Sequence, residues 1–465
     1  MHGDFSRVTF DPAQRFSAVL AQQGRVQLDA EINEQAAIVQ DHLRTLARDL
    51  FGPVAYLPDE DEEHPGGFGV GPCDGDNFPV ASGRMYVNGI RCECDGTDYK
   101  SQPDMYFDYF DPEREEHRLP SHPFLVYLRV WERLVTAVEA PRIREVALGP
   151  HSPDTTARSR VVWQVCWLPL EEGGYVPTMR TATRYLRDRL SRRFEPRGHL
   201  AARVRSPEDD PSDVSPYADY PGPENQLYRV EVHQGGTAQT ATFKWSRENG
   251  SVVLPIRSVH GPTVELETLG RDDKLGIEVG DQVELVTDAS VCHGASDQLD
   301  EPAPRLYTIQ EIDHAECQVV LNADPGDDPH HPTGGRVFGL HPLLRRWDHG
   351  VTAGTRGDDA QGARAGALGQ PVQEGEWLPL EDGIEIRFEP SAEQPRTYRR
   401  GAYWLIPARA LTGGVEWPVD PNGQPRPRPP RGIAYHYAPL AAVRPSAGGE
   451  YQVVDLRVPI PARGL

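Results

Sequence analysis

Lysine is nearly missing from this 465-residue chain: only Lys100, Lys244 and Lys274 stand among 48 basic residues. The remainder are arginines, whose planar guanidinium pairs bidentately and stacks where an ammonium does not; the bias fits a GC-rich genome and carries no functional conclusion. Six cysteines, at 73, 92, 94, 166, 292 and 317, are too few to staple a chain of this size. No run of 18 apolar residues occurs, and the opening MHGDFSRVTF has no basic stretch followed by an apolar core. Both absences point to cytoplasmic synthesis without a signal peptide or membrane insertion. Acidic residues outnumber basic ones by 70 to 48, a net charge of −22 that repels nucleic-acid phosphates and anionic lipid. Nucleic acid is therefore excluded as a bulk partner.

Catalytic signatures are also missing. There is no GxSxG, no glycine-rich phosphate loop and no cysteine-nucleophile signature. Metal-ligating atoms occur at His330-His331 with Asp327 and Asp328, at Cys292-His293 with His314 and Cys317, and at Cys92-x-Cys94, but none has the tight spacing of a zinc ribbon or an HExxH helix. The reading is therefore no metal, no cofactor and no catalytic residue. Seventy acids always allow some carboxylate pair at glycosidase separation; Glu132, Glu139, Glu145, Asp154 and Asp348 sit among aromatics, but flanking arginines such as Arg129, Arg133, Arg142, Arg144 and Arg158 make ion pairs the simpler role. Trp347, Trp377, Trp404, Trp417, Tyr435 and Tyr437 are candidates for a sugar-stacking or docking platform.

What is present is punctuation. Gly and Pro number 44 each and only 38% of the chain is hydrophobic, so short β-runs such as VVWQVCWL and YRVEVH alternate with turns and no single large core forms. The expected fold is mainly β and multi-domain, with one long N-terminal α-helix in a heptad pattern, β-sandwich-like modules and a small β-barrel insert. Residues 1–57 form an arm with the helix, 78–205 a β domain, 226–268 a β-hairpin region continuing that core, 269–325 a compact five-stranded barrel, and 335–465 a C-terminal β region. Asn88-Gly89 and Asn249-Gly250 each predict a type I′ hairpin turn. The segment PNGQPRPRPPRG is too rich in proline for a strand and runs extended.

The helix carries the sharpest pattern. Ile32, Ala36, Val39, Leu43, Leu46 and Leu50 recur in steps of four and three, a two-in-seven stripe suited to a partner helix. Asp29 is placed to cap its start, and Gly52-Pro53 ends it. The six residues are the predicted self-association site, with several copies of the chain as the partner and a homotrimer as the expected state.

The N-terminal stretch MHGDFSRVTFDPAQRFSAVLAQQGRVQLDAEINEQ resembles the opening of an uncharacterised bacterial family associated with phage-tail-like contractile injection systems. The resemblance continues through SGRMYVNGI, VWERLVTAVEAPRIREVALG, ENQLYRVEVHQGG, ATFKWSRENGSVV, LLRRWDH, LEDGIEIRF, YWLIPARA and GIAYHYAPLA, and so spans the chain. Glu31-Ile32 departs from it, where an acidic residue followed by an aromatic is common. The resemblance implies a genomic setting and not a reaction. It favours a structural or interaction component of such a particle, fibre-like, baseplate-accessory or cargo-docking, whose partners are the particle's other proteins and which is extracellular after lysis or release. The alternative is a particle-borne hydrolase or toxin acting on cell-wall polysaccharide.

Overall fold

A computed structural model of the chain describes residues 1–58, 66–106, 118–149, 154–170, 178–191, 197–205, 220, 222–270, 272, 274–293, 303–327, 340–349, 369–391, 395–446 and 451–460. Among them β-structure dominates, with 23 strands against three α-helices, and no helix is long and apolar enough to cross a membrane. Two compact units form. The first contains Met1–Val8, Thr136–Ala157 and Phe194–Ile433; the second contains Thr9–Val135, Arg158–Arg193 and Ala434–Leu465. The segment 335–465, read from the sequence as one region, is divided at Ile433.

The first unit holds an antiparallel sheet in the order Gln370–Pro371, Thr242–Ser246, Gln226–Val232, Tyr403–Arg409, Gly414–Val415. Its apolar face, with Tyr228, Val230, Val232, Phe243, Trp245, Trp404 and Ile406, shares a core with Ile384, Ile386 and Phe388 of a three-stranded sheet. The proline-rich segment runs extended beside these strands, bridging Leu200 through Arg428 and Tyr403 through Arg431.

The same unit contains a closed barrel of Val253–His260, Thr263–Leu266, Gln318–Leu321, Leu306–Asp313, Gln282–Val286 and Leu343–Trp347. It has six strands where the sequence suggests five, and it reaches beyond 269–325 on both sides. The misreading has a local cause. Asn249 and Gly250 do adopt the positive φ angles of a type I′ pair, 54° and 64°, but the strands they separate belong to different sheets. The turn hands the chain from sheet to barrel, fixed by the Asn249 side chain, which donates to Gly3 O (2.9 Å) and accepts from Arg229 (3.1 Å).

In the second unit, Gly83–Val87 and Ile90–Cys94 form the expected hairpin, with Asn88 and Gly89 at φ 51° and 81° and Val87 opposite Ile90. Cys92 and Cys94 both face inward, and burial pushes the Cys92 thiol up to about 12. Beside the hairpin lies a four-stranded antiparallel sheet in the order Tyr451–Asp455, His436–Pro445, Phe124–Val135, Arg158–Pro169. Its strand Phe124–Val135 is buried on both faces over most of its length, as its unbroken apolar run predicts. Trp163 of the next strand donates to Glu93 O (2.9 Å), tying sheet to hairpin.

The helix spans Asp29–Phe51, 23 residues. Asp29 lies inside the first turn and does not cap it; Glu31 accepts from the Leu28 N–H instead (3.2 Å). Gly52, at φ 82°, closes the last turn onto Arg48 O (2.8 Å). Arg44 pairs with Glu132 (2.8 Å) and Phe51 packs on Tyr86, so the helix seats on the hairpin and the strand beside it. Gly89 makes that approach possible, because a Cβ there would overlap the Arg44 carbonyl. Gly89→Ala, at positive φ and against the helix backbone, is expected to destabilise the second unit by about 1–3 kcal/mol in chemical denaturation.

Candidate functional site

The six predicted self-association residues are all exposed, Ala36 as well as the five large ones, Ile32, Val39, Leu43, Leu46 and Leu50. Those five keep 47–60% of their surface. The opposite face anchors the helix: Ile38 is 1% exposed, Ala30 is buried and Thr9 donates to Glu34 (2.6 Å), while at the edge of the stripe Gln35 accepts from the Val19 N–H (2.6 Å). Beside this anchored face a cavity of about 230 Å³ is lined by Phe10, Asp11, Phe16, Glu34, Asp41 and His42. The segment before the helix also carries exposed apolar residues, Phe16, Leu20, Val26 and Leu28. Of 19 large apolar residues exposed among the described residues, nine lie between 16 and 50. Exposed apolar side chains are thus concentrated in this stretch, where an ordinary surface scatters them.

A second feature escapes sequence reading. The other face of the five-stranded sheet carries Arg229, Glu231, His233 and Lys244, which alternation with apolar neighbours would assign to solvent, yet all four are buried. They are covered from the barrel, whose outward Glu284 and Trp347 complete the layer. Lys244 Nζ lies 2.7 Å from Glu284, 3.6 Å from Glu231 and 4.2 Å from the Trp347 ring centroid. Arg229 bonds Glu231 (2.6 Å) and stacks on Tyr403 at 3.6 Å. His2 Nε2, carrying the proton, donates to the same Glu231 (2.9 Å), and the Met1 amino group donates to Tyr403 Oη (2.9 Å). Burial lowers His233 and His349 to about 3, so both are neutral near pH 7. Burial opposes ionisation of Glu231 and Glu284, but the cations outweigh it: Glu231 is held well below the carboxylate range by Arg229 first, and Glu284 at about 2 by Lys244 first. His233 Nε2 and both ring nitrogens of His349 are buried without a hydrogen-bond partner, while the ions of this layer are paired with one another as a structural joint. The signal that could have found it is one of the chain's three lysines, Lys244, set between aromatics in FKW.

The other sequence candidates disperse. Glu132 pairs with Arg44, Glu145 accepts from the Ala147 N–H (3.0 Å) to cap a 3-10 turn, and Asp348 sits between Arg247 and Arg346. Trp347 and Trp404 are core residues, Trp377 is flanked by Arg203 and Arg387, and the Trp417 indole bonds Arg426 O. Tyr435 and Tyr437 do stack, at 6.5 Å, in the second unit. The set built on His330 and His331 lies outside the described residues; among those described, no three His, Cys, Asp or Glu side chains are grouped to hold a metal.

Replacing one anion of the buried layer leaves a cation without a counter-charge, so Glu284→Gln is expected to cost about 3–5 kcal/mol. A carboxylate depressed to about 2 contributes stability that is present above its unfolded value of roughly 4.3 and is lost as pH falls through that range. Thermal unfolding between about pH 2 and pH 5 should therefore show an acid limb that is shallower in Glu284→Gln.

The comparisons with known proteins bear on the whole chain. A family model described as a family of unknown function, DUF6519, matches residues 1–195 and 180–458. No curated protein matches the chain, and no solved structure does. The two matched spans take in the exposed helix, the buried charged layer and the barrel alike, and the chain therefore belongs to the DUF6519 family of unknown function.

Proposed function

We propose that the protein is a structural or interaction component of a phage-tail-like contractile injection particle, and that copies of it associate through the helix Asp29–Phe51. The observation that carries the reading is the heptad stripe left uncovered on a helix whose other side is anchored. A helix of this length is amphipathic for a reason: an apolar face in water gains nothing until a partner buries it. The stripe is two residues in seven, the width of a coiled-coil seam and narrower than the face a helix presents to its own domain.

A second copy supplies the matching seam. The positions flanking it are Asn33, Gln40 and Ala47 on one side and Gln35, His42 and Asp49 on the other; they carry almost no charge, so identical helices meet little repulsion. Six apolar side chains per copy, at about 1.5–3 kcal/mol for each large one fully buried, are enough for association once ordering costs are met. The particle setting rests on the resemblance of blocks along the chain to proteins of that genomic context. Within it, a β-rich body on a multimerising helix suits a fibre-like, baseplate-accessory or cargo-docking part, three copies being the expected number.

Sedimentation velocity tests the association directly. The full chain should sediment as an oligomer, and Leu43→Asp, which puts a charge in the middle of the seam, should weaken association by ~100-fold or more without unfolding the β units. A monomeric wild type, or an unaltered Leu43→Asp oligomer, rejects the seam. The particle assignment is tested separately by gradient sedimentation of a native lysate: co-migration with the sheath protein is expected, and confinement to the light fractions would reject a permanent place in the particle.

A further inference from the structure

Where the barrel strand Leu343–Trp347 ends, the first unit gathers a second ion cluster that the buried layer does not include. Arg346 Nη2 lies 3.3 Å from Glu248 and its Nε 3.2 Å from Asp348; Arg247 Nη2 lies 2.9 Å from Glu381 and its Nε 3.6 Å from the same Asp348. Asp348 also accepts from the Arg247 backbone N–H (2.8 Å), and Tyr228 Oη donates to Glu381 (3.0 Å). The Arg346 guanidinium is held further by the carbonyls of Lys274 and Gly276 (2.8 and 2.6 Å). These groups come from the sheet, the barrel and the turn before strand Ile384–Phe388.

The charges do not balance. Three carboxylates, Glu248, Asp348 and Glu381, face two guanidiniums. The groups around them widen the gap: Lys274 adds one cation, while Asp281, Asp382 and Asp4 add acids, and the nearby Tyr220 hydroxyl adds no charge at neutrality. Glu248 Oε1 is in addition buried without a hydrogen-bond partner, a position where charge is far costlier than a neutral hydroxyl. Asp348 is approached by both guanidiniums and the Arg247 N–H, whereas Glu248 and Glu381 each meet one guanidinium, so the surplus falls on the two glutamates.

We propose that this cluster retains a proton near neutral pH and acts as a proton-dependent clamp between the five-stranded sheet and the end of the barrel. Protonated, it matches two carboxylates to two guanidiniums; ionised, it sets three like charges around the joint and loosens it. Burial is the main cause pushing Glu248 and Glu381 each up to about 7, and the proton belongs to the pair. Linkage gives the sign. A carboxyl whose folded value lies above its unfolded one stabilises the fold fully below roughly pH 4.3, and that stability drains away as pH rises toward 7 and is constant beyond. This window lies on the alkaline side of the acid limb of Glu284, so the two can be separated.

The test is thermal unfolding of the full chain at about pH 5 and about pH 8, with Glu248→Gln, Glu381→Gln and the double variant. Wild type should melt a few degrees lower at the higher pH. Each glutamine variant, neutral at both, should match wild type at the lower pH and melt above it at the higher, and the double variant should lose the wild-type difference. A wild type with equal melting temperatures, or a double variant that keeps the difference, overturns the clamp. Infrared titration needs no variant: a protonated-carboxyl band that persists in the wild type to near pH 7 supports the proposal, and its complete loss by about pH 5 refutes it.

Discussion

Burying the charged face of a β-sheet constrains the first unit more tightly than any apolar contact within it. Side chains of a strand alternate between faces, so in Gln226–Val232 the residues Tyr228, Val230 and Val232 enter the apolar core while Arg229 and Glu231 face the other way. A slip of one residue would drive a guanidinium and a carboxylate into that core at a cost of several kcal/mol each. The pairing is thus set by charge as well as by apolar pattern: Glu231 lies opposite Lys244 on one side and Tyr403 on the other, and Glu284 lies opposite Arg345 in the barrel wall. The placement of the barrel on the sheet brings Glu284 to 2.7 Å from Lys244. Specificity of arrangement, rather than net stability, is what such a layer supplies.

The same constraint separates the parts of the fold that can be read along the chain from those that cannot. The hairpin at Asn88-Gly89 is legible because everything that determines it, two positive φ angles and alternating apolar neighbours, lies within a dozen residues. Asn249-Gly250 has the same chemistry and the same backbone, but the course of the chain beyond it is decided by Arg229 and Gly3, distant in sequence, which take the Asn249 side chain and turn the backbone toward the barrel. The barrel's extra strands are illegible for the same reason: Val253–His260 pairs with Leu343–Trp347 nearly a hundred residues on, and period-two patterning says which face of a strand is buried but not which strand covers it. The polar layer is hidden because alternation of YRVEVH is the ordinary mark of a solvent-facing sheet, and only a second charged surface in register can overturn it. Trp347 and Trp404 behave likewise, large aromatics being core residues wherever a β-layer is available to cover them.

The helix is the opposite case, since its heptad stripe is legible from spacing alone, and its five large members remain in solvent in the single chain. Spacing does not give the other side. Ile38 and Ala30 stand outside the heptad pattern, and Gly89, far off in the hairpin, sets how close the Arg44 turn can come. These contacts matter for any assembly, because a helix tethered by a flexible arm would lose most of its freedom on pairing, whereas one already fixed by Arg44 and Phe51 has lost it in the folded monomer. Anchoring one face therefore lowers the entropic cost of covering the other. The same contacts fix which way the seam points relative to the second unit, so copies joined through it would present that unit in a regular array, which a free coiled coil on a loose linker would not do.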